Sequence, residues 1–174
     1  MVTIIMGGSG TRSNRQGFAD YNDLATQTTP ITLLAATWTT MTNDGLGPNS
    51  NDTYLPAGTT QLMDTSTGAI DVSELELGDV LHVRNDFVVT QSANNSTLEA
   101  RYSLGTGGGA YTLEHRIDKL DSGTGITYRY SLYSDIIYMG DANTRDNPIT
   151  IQLQLSNAGT VVNNGTVITV VRRS

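Results

Sequence analysis

The chain has 174 residues, a formal net charge of −7 at pH 7 and no cysteine, which suits one domain with a substantial core and excludes disulfides and thiolate metal sites. Its ten Lys and Arg residues are scattered, whereas nucleic acids and anionic membranes require clustered positive charge, so neither is expected as a partner. No apolar run reaches the ~18 residues of a membrane span, and the N-terminal stretch lacks the basic residues of a signal peptide.

The first 30 residues differ in character from the rest of the chain. They are polar and glycine-rich, with Gly7, Gly8 and Gly10 close together and no sustained hydrophobic periodicity. Such a segment buries too little apolar surface to become ordered alone. The glycines do not fit a phosphate-binding loop, because no Gly-Lys-Ser/Thr follows them. We predict an extended N-terminal arm over residues 1–30 and a β domain over residues 31–174.

From residue 31 onward the composition is typical of β-structure. Thr, Asn, Gly and Ser are abundant and lysine is nearly absent, a bias that favours strands and turns over helices. The segment 31–41 is rich in Thr and Leu and contains the only tryptophan, Trp38. A polar loop over residues 43–53 follows it.

Four later segments alternate strictly between apolar and polar residues: 80–90, 98–104, 111–117 and 149–155. A period of two places one face of a strand against a core and the other in water. The predicted buried set comprises Leu81, Val83, Phe87, Val89, Leu98, Ala100, Tyr102, Leu104, Tyr111, Leu113, His115, Ile117, Ile149, Ile151, Leu153 and Leu155.

Two glycine-containing segments predict hairpins. Residues 105–109 (Gly-Thr-Gly-Gly-Gly) join two alternating strands, and Asn163-Asn164-Gly165 separates residues 160–162 from residues 166–171. Asn-Gly between β-type segments is typical of a tight hairpin turn. Strands recurring about every ten residues without helical patterns indicate an all-β, antiparallel β-sandwich of jelly-roll type.

Two segments are apolar on both faces and are expected to be covered on both. They are Val167–Val171 and Ile136–Met139. The second cover is either another subunit or the interior of a closed monomer, and the pattern alone leaves both open. The eight tyrosines against two phenylalanines favour the subunit, because tyrosine suits half-wet interfaces.

No catalytic or metal-binding constellation emerges from the residue pattern. Alternation places His82 on a polar face and His115 on an apolar one, and no serine lies in a nucleophile elbow. Residues 139–148 resemble a calcium loop but lack its essential glycine, where Asp146 stands, and its bidentate glutamate, where Gln152 stands. An Arg–Asp pair and Asx turns are expected to hold that loop. We predict a non-enzymatic protein without cofactor or metal.

A resemblance to a known family arises from four motifs of the chain. They are LGDVLHVR at residues 77–84, LGTGGG at 104–109, IYMGDANTRDNP at 137–148 and VVNNGTVITV at 161–170. Together they resemble the head decoration (cement) proteins of tailed bacteriophages, of the trimeric jelly-roll group similar in shape to tumour-necrosis-factor and C1q heads. The resemblance covers roughly residues 31–172, and the N-terminal arm matches no motif of that group.

The resemblance implies a homotrimer seated on the outside of a phage capsid. It would bridge neighbouring major capsid subunits, so that the partners are further copies of this chain and the major capsid protein, and the location is the virion surface. The trimer contact is expected at Ile136, Ile137, Tyr138, Met139, Val167, Ile168, Val170 and Val171. Docking to the capsid is expected from the arm through Gly7, Gly8, Arg12, Arg15, Phe18 and Tyr21.

Two other functions compete with this one. A receptor- or glycan-binding tip of a phage fibre would use the loops 43–53 and 140–147, with Trp38, Tyr54 and Tyr111 as sugar platforms or, more simply, as core residues. The absence of heptads in residues 1–30 disfavours a fibre stalk. A glycan hydrolase on a β scaffold is the third, because paired carboxylates are brought together by folding rather than by sequence spacing.

Overall fold

A computed structural model describes residues 14–134 and 136–173. The regular structure is almost entirely β, with two single-turn α-helices, α1 (Ala25–Thr28) and α2 (Ala142–Arg145), and one 3-10 turn, Gly107–Gly109. No helix in the described ranges is long and apolar enough to cross a membrane. The strands are β1 Gln16–Asn22, β2 Ile31–Leu33, β3 Thr39–Thr40, β4 Asn51–Tyr54, β5 Met63–Asp64, β6 Ala69–Ile70, β7 Val80–Gln91, β8 Ser96–Leu104, β9 Tyr111–Leu120, β10 Thr127–Tyr133, β11 Ile137–Tyr138, β12 Thr150–Leu155 and β13 Gly159–Val171.

Two antiparallel sheets form a sandwich. The larger has seven strands in the order β10-β7-β13-β1-β4, with β11 also on β7 and β2 also on β13. The smaller has the order β3-β12-β8-β9, and a separate ribbon pairs β5 with β6. From β7 onward the long strands pass between the sheets, and β7 and β8 pair with the sequence-distant β13 and β12. This wrapping is that of a jelly roll, and the predicted all-β antiparallel sandwich is confirmed.

The core lies between the two sheets and is built from the alternating strands. The apolar residues predicted for β7, β8 and β12 are all buried, among them Phe87, Tyr102 and Leu153. Their polar neighbours in sequence face away from the core, as a period of two requires. On β9, Tyr111 is exposed and Leu113, His115 and Ile117 are only half-buried, because β9 is the last strand of its sheet.

The hairpin predicted at residues 163–165 is wrong. β13 runs unbroken through this segment and pairs with β7 along its length, with a register shift between Asn163 and Gly165. Asn163 is buried, and its Oδ1 accepts hydrogen bonds from Nδ2 of Asn85 and the backbone N of Gly165. These bonds hold a β-bulge, which shares the Asn-Gly signature of a turn but does not reverse the chain.

The predicted boundary between arm and domain at residue 30 also needs correction. β1 pairs with β13 at all seven of its residues and lies inside the larger sheet. Its Ala19 and Tyr21 belong to the hydrophobic core. The described part of residues 1–30 is therefore part of the sandwich, while residues 1–13 lie outside the described ranges.

Candidate functional site

The most distinctive surface is the outer face of the seven-stranded sheet, the face turned away from the core. On β13, Ile168 and Val170 are buried in the core, whereas Val167 and Val171 lie on the outer face and are half-buried. Val167 pairs with Arg84 of β7, and Val171 pairs with Val80. The strand is thus apolar on both sides, and only one side is covered by its own domain.

Large apolar side chains gather on this outer face. β11 pairs with β7, and Ile137 between its exposed neighbours is buried. Alternation about Ile137 therefore places those neighbours, Ile136 and Tyr138, on the outer side. The exposed fractions are 42% for Phe18, 57% for Tyr54, 64% for Tyr133, 63% for Ile136 and 53% for Tyr138.

Phe18 and Tyr54 form one end of this aromatic surface. Their rings stack with centroids 5.3 Å apart and planes 20° apart, and they are paired in register across β1 and β4. Phe18 also pairs with Thr169 of β13. The stack is therefore continuous with the exposed side of β13, across three adjacent strands.

A charged cluster lies at the centre of the same face. Nη2 of Arg84 is 3.2 Å from Oδ2 of Asp86, and Asp20 pairs with Val167, the residue opposite Arg84. Burial raises the pKa of Asp20, while the Arg84 charge and a hydrogen bond from Asn22 oppose that rise. Arg84 thus pairs with Asp86 and also acts electrostatically on Asp20, among exposed aromatic and aliphatic side chains of the same face.

A groove of about 280 Å³ opens beside this cluster. Its wall is partly built by Ser134, whose Oγ accepts a hydrogen bond from the backbone N of Val83 at 2.8 Å. Among the described residues no group of three His, Cys, Asp or Glu side chains is placed to hold a metal. With this volume the groove has room for a protruding side chain of a neighbour. It is lined by His82, Val83, Arg84, Tyr133, Ser134, Val167 and Thr169.

The structure divides the residues predicted for the trimer contact. Four of them, Ile137, Met139, Ile168 and Val170, are buried in the core of their own domain and are not available to another subunit. The other four, Ile136, Tyr138, Val167 and Val171, share the outer face. The two-sided pattern correctly indicated a strand with two apolar faces, but it could not tell which residue faces which way.

The residues predicted for capsid docking are scattered. Gly7, Gly8 and Arg12 lie outside the described residues. Arg15 is exposed, and its Nη1 donates a hydrogen bond to the carbonyl of Arg173 at 3.4 Å. Tyr21 is buried, and its hydroxyl accepts a hydrogen bond from the backbone N of Leu62 at 2.9 Å. It is therefore a core residue rather than a docking residue.

The other side chains considered for chemistry are the two histidines and Trp38. His82 is exposed, and His115 is half-buried with its ring nearly perpendicular to that of Tyr102, at 6.3 Å between centroids. The ring of Trp38 lies beneath the guanidinium of Arg101, 4.3 Å from its centroid, so that ring face is already occupied.

The loop at residues 140–147 contains the Asp-capped turn and the Arg–Asp pair that were expected to hold it. Its α2 turn is capped by Asp141, whose carboxylate accepts a hydrogen bond from the backbone N of Thr144 at 2.8 Å. Arg145 pairs with Asp146 at 2.6 Å. The side chain of Asn143 exchanges hydrogen bonds with the backbone of Thr106, which ties the loop to the glycine-rich hairpin.

Sequence reasoning missed the contribution of β1 to the outer face. The signal was present, since Phe18 and Asp20 alternate with the buried Ala19 and Tyr21. The stretch is short and follows a long polar segment, so the sequence pattern assigns it to the arm. The sequence indicates Tyr54 only as a sugar platform or a core residue, because nothing in it places β4 beside β1.

Comparison with known proteins gives remote structural similarity only. No protein-family model and no curated protein matches the sequence. Among solved structures, one of infectious bursal disease virus, Gt strain, aligns at 16% identity and a TM-score of 0.43, covering 99% of this chain and 38% of that one. The PRD1 vertex protein P5 aligns at 15% identity and a TM-score of 0.43, covering 99% and 87%. This chain thus spans well under half of the first structure, and at such identities and TM-scores neither similarity carries an argument about function.

Proposed function

We propose that this protein is a structural component of a virion: a homotrimeric decoration protein on the outside of a phage capsid, where it bridges major capsid subunits. The observation that carries the proposal is the set of exposed aromatic and aliphatic side chains on the outer face of the seven-stranded sheet. The proposal also draws on the resemblance of residues 77–84, 104–109, 137–148 and 161–170 to phage head decoration proteins. It assigns no enzymatic activity and no cofactor.

The outer face has the composition of a subunit contact. Exposed apolar patches larger than a few hundred Å² are uncommon on monomeric proteins and usually mark an interaction site. Interfaces are enriched in aromatic residues, and this face has Phe18, Tyr54, Tyr133 and Tyr138 exposed around half-buried valines. Burying it against another copy would add stabilisation at about 25 cal/mol per Å² of apolar area.

A trimer sets a geometric condition on this contact. In a closed ring of three, each copy meets the next through two different patches rather than one self-complementary patch. The outer face, with Ile136, Tyr138, Val167 and Val171, provides one of them. Its groove beside Tyr133 accepts a side chain of the second patch, and the Arg84 cluster provides polar specificity within an apolar contact.

Docking to the capsid is assigned to the N-terminal residues, with Gly7, Gly8 and Arg12 in the segment before β1. Arg15 leads into β1 at the edge of the described structure and is exposed. In this proposal the sandwich forms the trimer and the N-terminal segment binds the shell. Deleting the N-terminal segment therefore separates shell binding from trimer formation.

Co-sedimentation with shells of the major capsid protein tests the proposal. The full chain is expected to sediment with the shells, whereas a variant lacking residues 1–13 remains a trimer in the supernatant. A Tyr111→Glu variant serves as a control, because Tyr111 is exposed on β9, an edge strand of the other sheet. Failure of the full-length chain to bind shells, or undiminished binding without residues 1–13, would contradict the assignment.

A further inference from the structure

Two leucines are exposed where the loop before β4 meets the residues that follow β1. Leu46 is 72% exposed, more than any other large apolar residue of the described chain, and Leu24 is 45% exposed. The backbone N of each donates to the same Oδ1 of Asp44, at 3.0 Å from Leu46 and 2.9 Å from Leu24. The backbones of the two residues therefore lie close together, and we call Leu24 and Leu46 the leucine knob.

The loop that carries the knob is fixed by the rest of the domain. The backbone N of Gly47 donates to the carbonyl of Asn22 at 2.8 Å, and a Cβ at residue 47 would lie 2.5 Å from Cβ of Asn22. The Oγ of Ser50 accepts from the backbone N of Asn22 at 2.8 Å. The buried Asn43 donates from Nδ2 to the carbonyl of Tyr21, also at 2.8 Å. A knob on a fixed loop loses little conformational entropy when a partner covers it.

The groove on the outer face has the size and the lining that the knob requires. Its volume of about 280 Å³ exceeds the ~150 Å³ of a cavity that holds benzene, so the smaller side chain of Leu46 fits. Val83 and Val167 contribute apolar surface to the groove, and the exposed Tyr133 stands beside them. Placing Leu46 there removes apolar surface of both partners from water.

The polar groups around the groove and the knob are complementary. His82 and Arg84 line the groove. Arg84 pairs with Asp86 yet remains partly exposed, and the His82 ring forms no hydrogen bond or ion pair within the described residues. Burial raises the pKa of Asp44, but hydrogen bonds from three neighbouring backbone N–H groups outweigh this effect and lower it. The groove therefore offers donors, and the knob brings a carboxylate acceptor beside it.

The knob and the groove of one copy lie on different parts of the larger sheet. In the order β10-β7-β13-β1-β4, the groove lies on the first three strands, whereas the segments that adjoin β1 and β4 carry the knob. One copy therefore presents both features at once, and its knob is available to the groove of a second copy. Contact between two different patches is what a closed ring of three requires.

We propose that the leucine knob is the second patch of the trimer contact, with Leu46 of each copy inserted into the groove beside Val167 and Tyr133 of the next copy. This inference rests on the proposed trimer, and it names the part of the partner that covers the outer face. Side chains that fill a pocket near the centre of an interface carry much of the binding energy. Leu46 is therefore needed for assembly and dispensable for folding, because it is exposed in the single chain.

Substitution of Leu46 tests the inference by solution mass, measured by light scattering over a range of concentrations. Leu46→Glu is expected to keep the circular dichroism spectrum of the wild type and to need at least about tenfold higher concentration to reach the mass of three chains. Leu34→Glu is the matched control, because Leu34 is 61% exposed outside the knob and the groove. It is expected to assemble like the wild type.

The outcomes separate the knob from the trimer. A Leu46→Glu variant that assembles as readily as the wild type overturns the role of the knob and leaves the trimer in place. A wild type with the mass of one chain overturns the trimer itself, and this inference with it. Equal weakening by Leu34→Glu also contradicts the proposal, because the effect would then not be specific to the knob.

Cross-linking tests the contact directly, because the chain has no cysteine of its own. In the double variant Leu46→Cys, Thr169→Cys, one thiol lies in the knob and the other at the groove, which Thr169 lines. A short thiol-specific cross-linker is expected to join copies into covalent dimers and trimers, which neither single variant forms in comparable yield. Tyr111→Cys, Thr169→Cys is the control pair, because the exposed Tyr111 lies on β9 of the other sheet. Equal yields from the two double variants, or no covalent multimers from the Leu46 pair, overturn the proposal.

Discussion

Arg172 and Asp79 form an ion pair at the end of the sandwich, with Nε of Arg172 3.2 Å from Oδ2 of Asp79. Asp79 is only 1% exposed, and it also accepts hydrogen bonds from the backbone N of Arg173 and of Glu76. The Nε–H is not aligned as a hydrogen bond, so this contact is purely ionic. The pair fastens the residue that follows β13 to the residue that precedes β7.

Breaking this pair is expected to lower the free energy of unfolding much more than breaking an ion pair on the surface. Asp79→Ala leaves the buried Arg172 with only the exposed Glu76 as an ionic partner and leaves two backbone N–H donors without their acceptor. We therefore expect a loss of about 3 kcal/mol in the free energy of unfolding. Lys119→Ala, which breaks an exposed pair with Asp121, is expected to cost at most about 1 kcal/mol. Chemical denaturation of both variants checks the difference, and equal losses would refute this account of the pair.

The second prediction concerns the β-bulge in β13. Besides its bonds to Asn85 and Gly165, Asn163 donates from Nδ2 to the carbonyl of Thr42 at 2.8 Å. Asn163→Ala leaves the buried backbone N of Gly165 without its acceptor, at about 1–3 kcal/mol, and also removes the hydrogen bonds to Asn85 and Thr42. We expect a loss of at least about 2 kcal/mol in the free energy of unfolding. If residues 163–165 formed an exposed hairpin instead, the same substitution would change stability by less than about 0.5 kcal/mol.

A substitution of Tyr21 tests whether this residue belongs to the core or to a capsid-docking surface. Tyr21→Phe removes the acceptor for the backbone N of Leu62, so we expect a loss of about 1–3 kcal/mol in stability. Binding to capsid shells should be unchanged, because the buried ring cannot contact a shell. Reduced shell binding without a loss of stability would restore the docking role predicted from the sequence.

The raised pKa of Asp20 predicts how the stability of the folded protein depends on pH. Its folded-state pKa is raised above 3.8, chiefly by burial, so folding favours the protonated form. The folded state binds more protons than the unfolded state between the two pKa values, and stability therefore falls as pH rises through this range. Asp20→Asn is expected to raise Tm at pH 7 and to leave it unchanged near pH 3. Thermal melts at the two pH values measure this, and an equal shift at both would contradict it.

Much of the fold was predictable because strict alternation determines which residues are buried. The buried sets of β7, β8 and β12 follow directly from the sequence pattern, since long strands repeat the signal many times. β1 was not recognised, because its few alternating residues follow a polar segment. The Asn-Gly at 164–165 is ambiguous, because a bulge and a tight turn use the same residues, and the buried partners of Asn163 that decide between them come from distant parts of the chain.

The candidate site was predictable only in outline. A two-sided apolar pattern indicated that β13 has a second face to cover, but half of the residues named for it lie in the core. The stack of Phe18 on Tyr54 depends on β1 lying between β13 and β4. That neighbourhood is set by tertiary pairing and has no local signature in the sequence.

The most direct test of the central claim is the solution mass by light scattering of the wild type and of a Tyr133→Glu, Ile136→Glu double variant. Both residues are among the most exposed apolar side chains of the outer face, so the substitutions should leave the circular dichroism spectrum and the domain intact. We expect the wild type and the Tyr111→Glu control at three times the 18.6 kDa of one chain, and the double variant at the mass of one chain. A monomeric wild type, or a double variant that remains trimeric, would contradict the assignment of the outer face as the assembly surface.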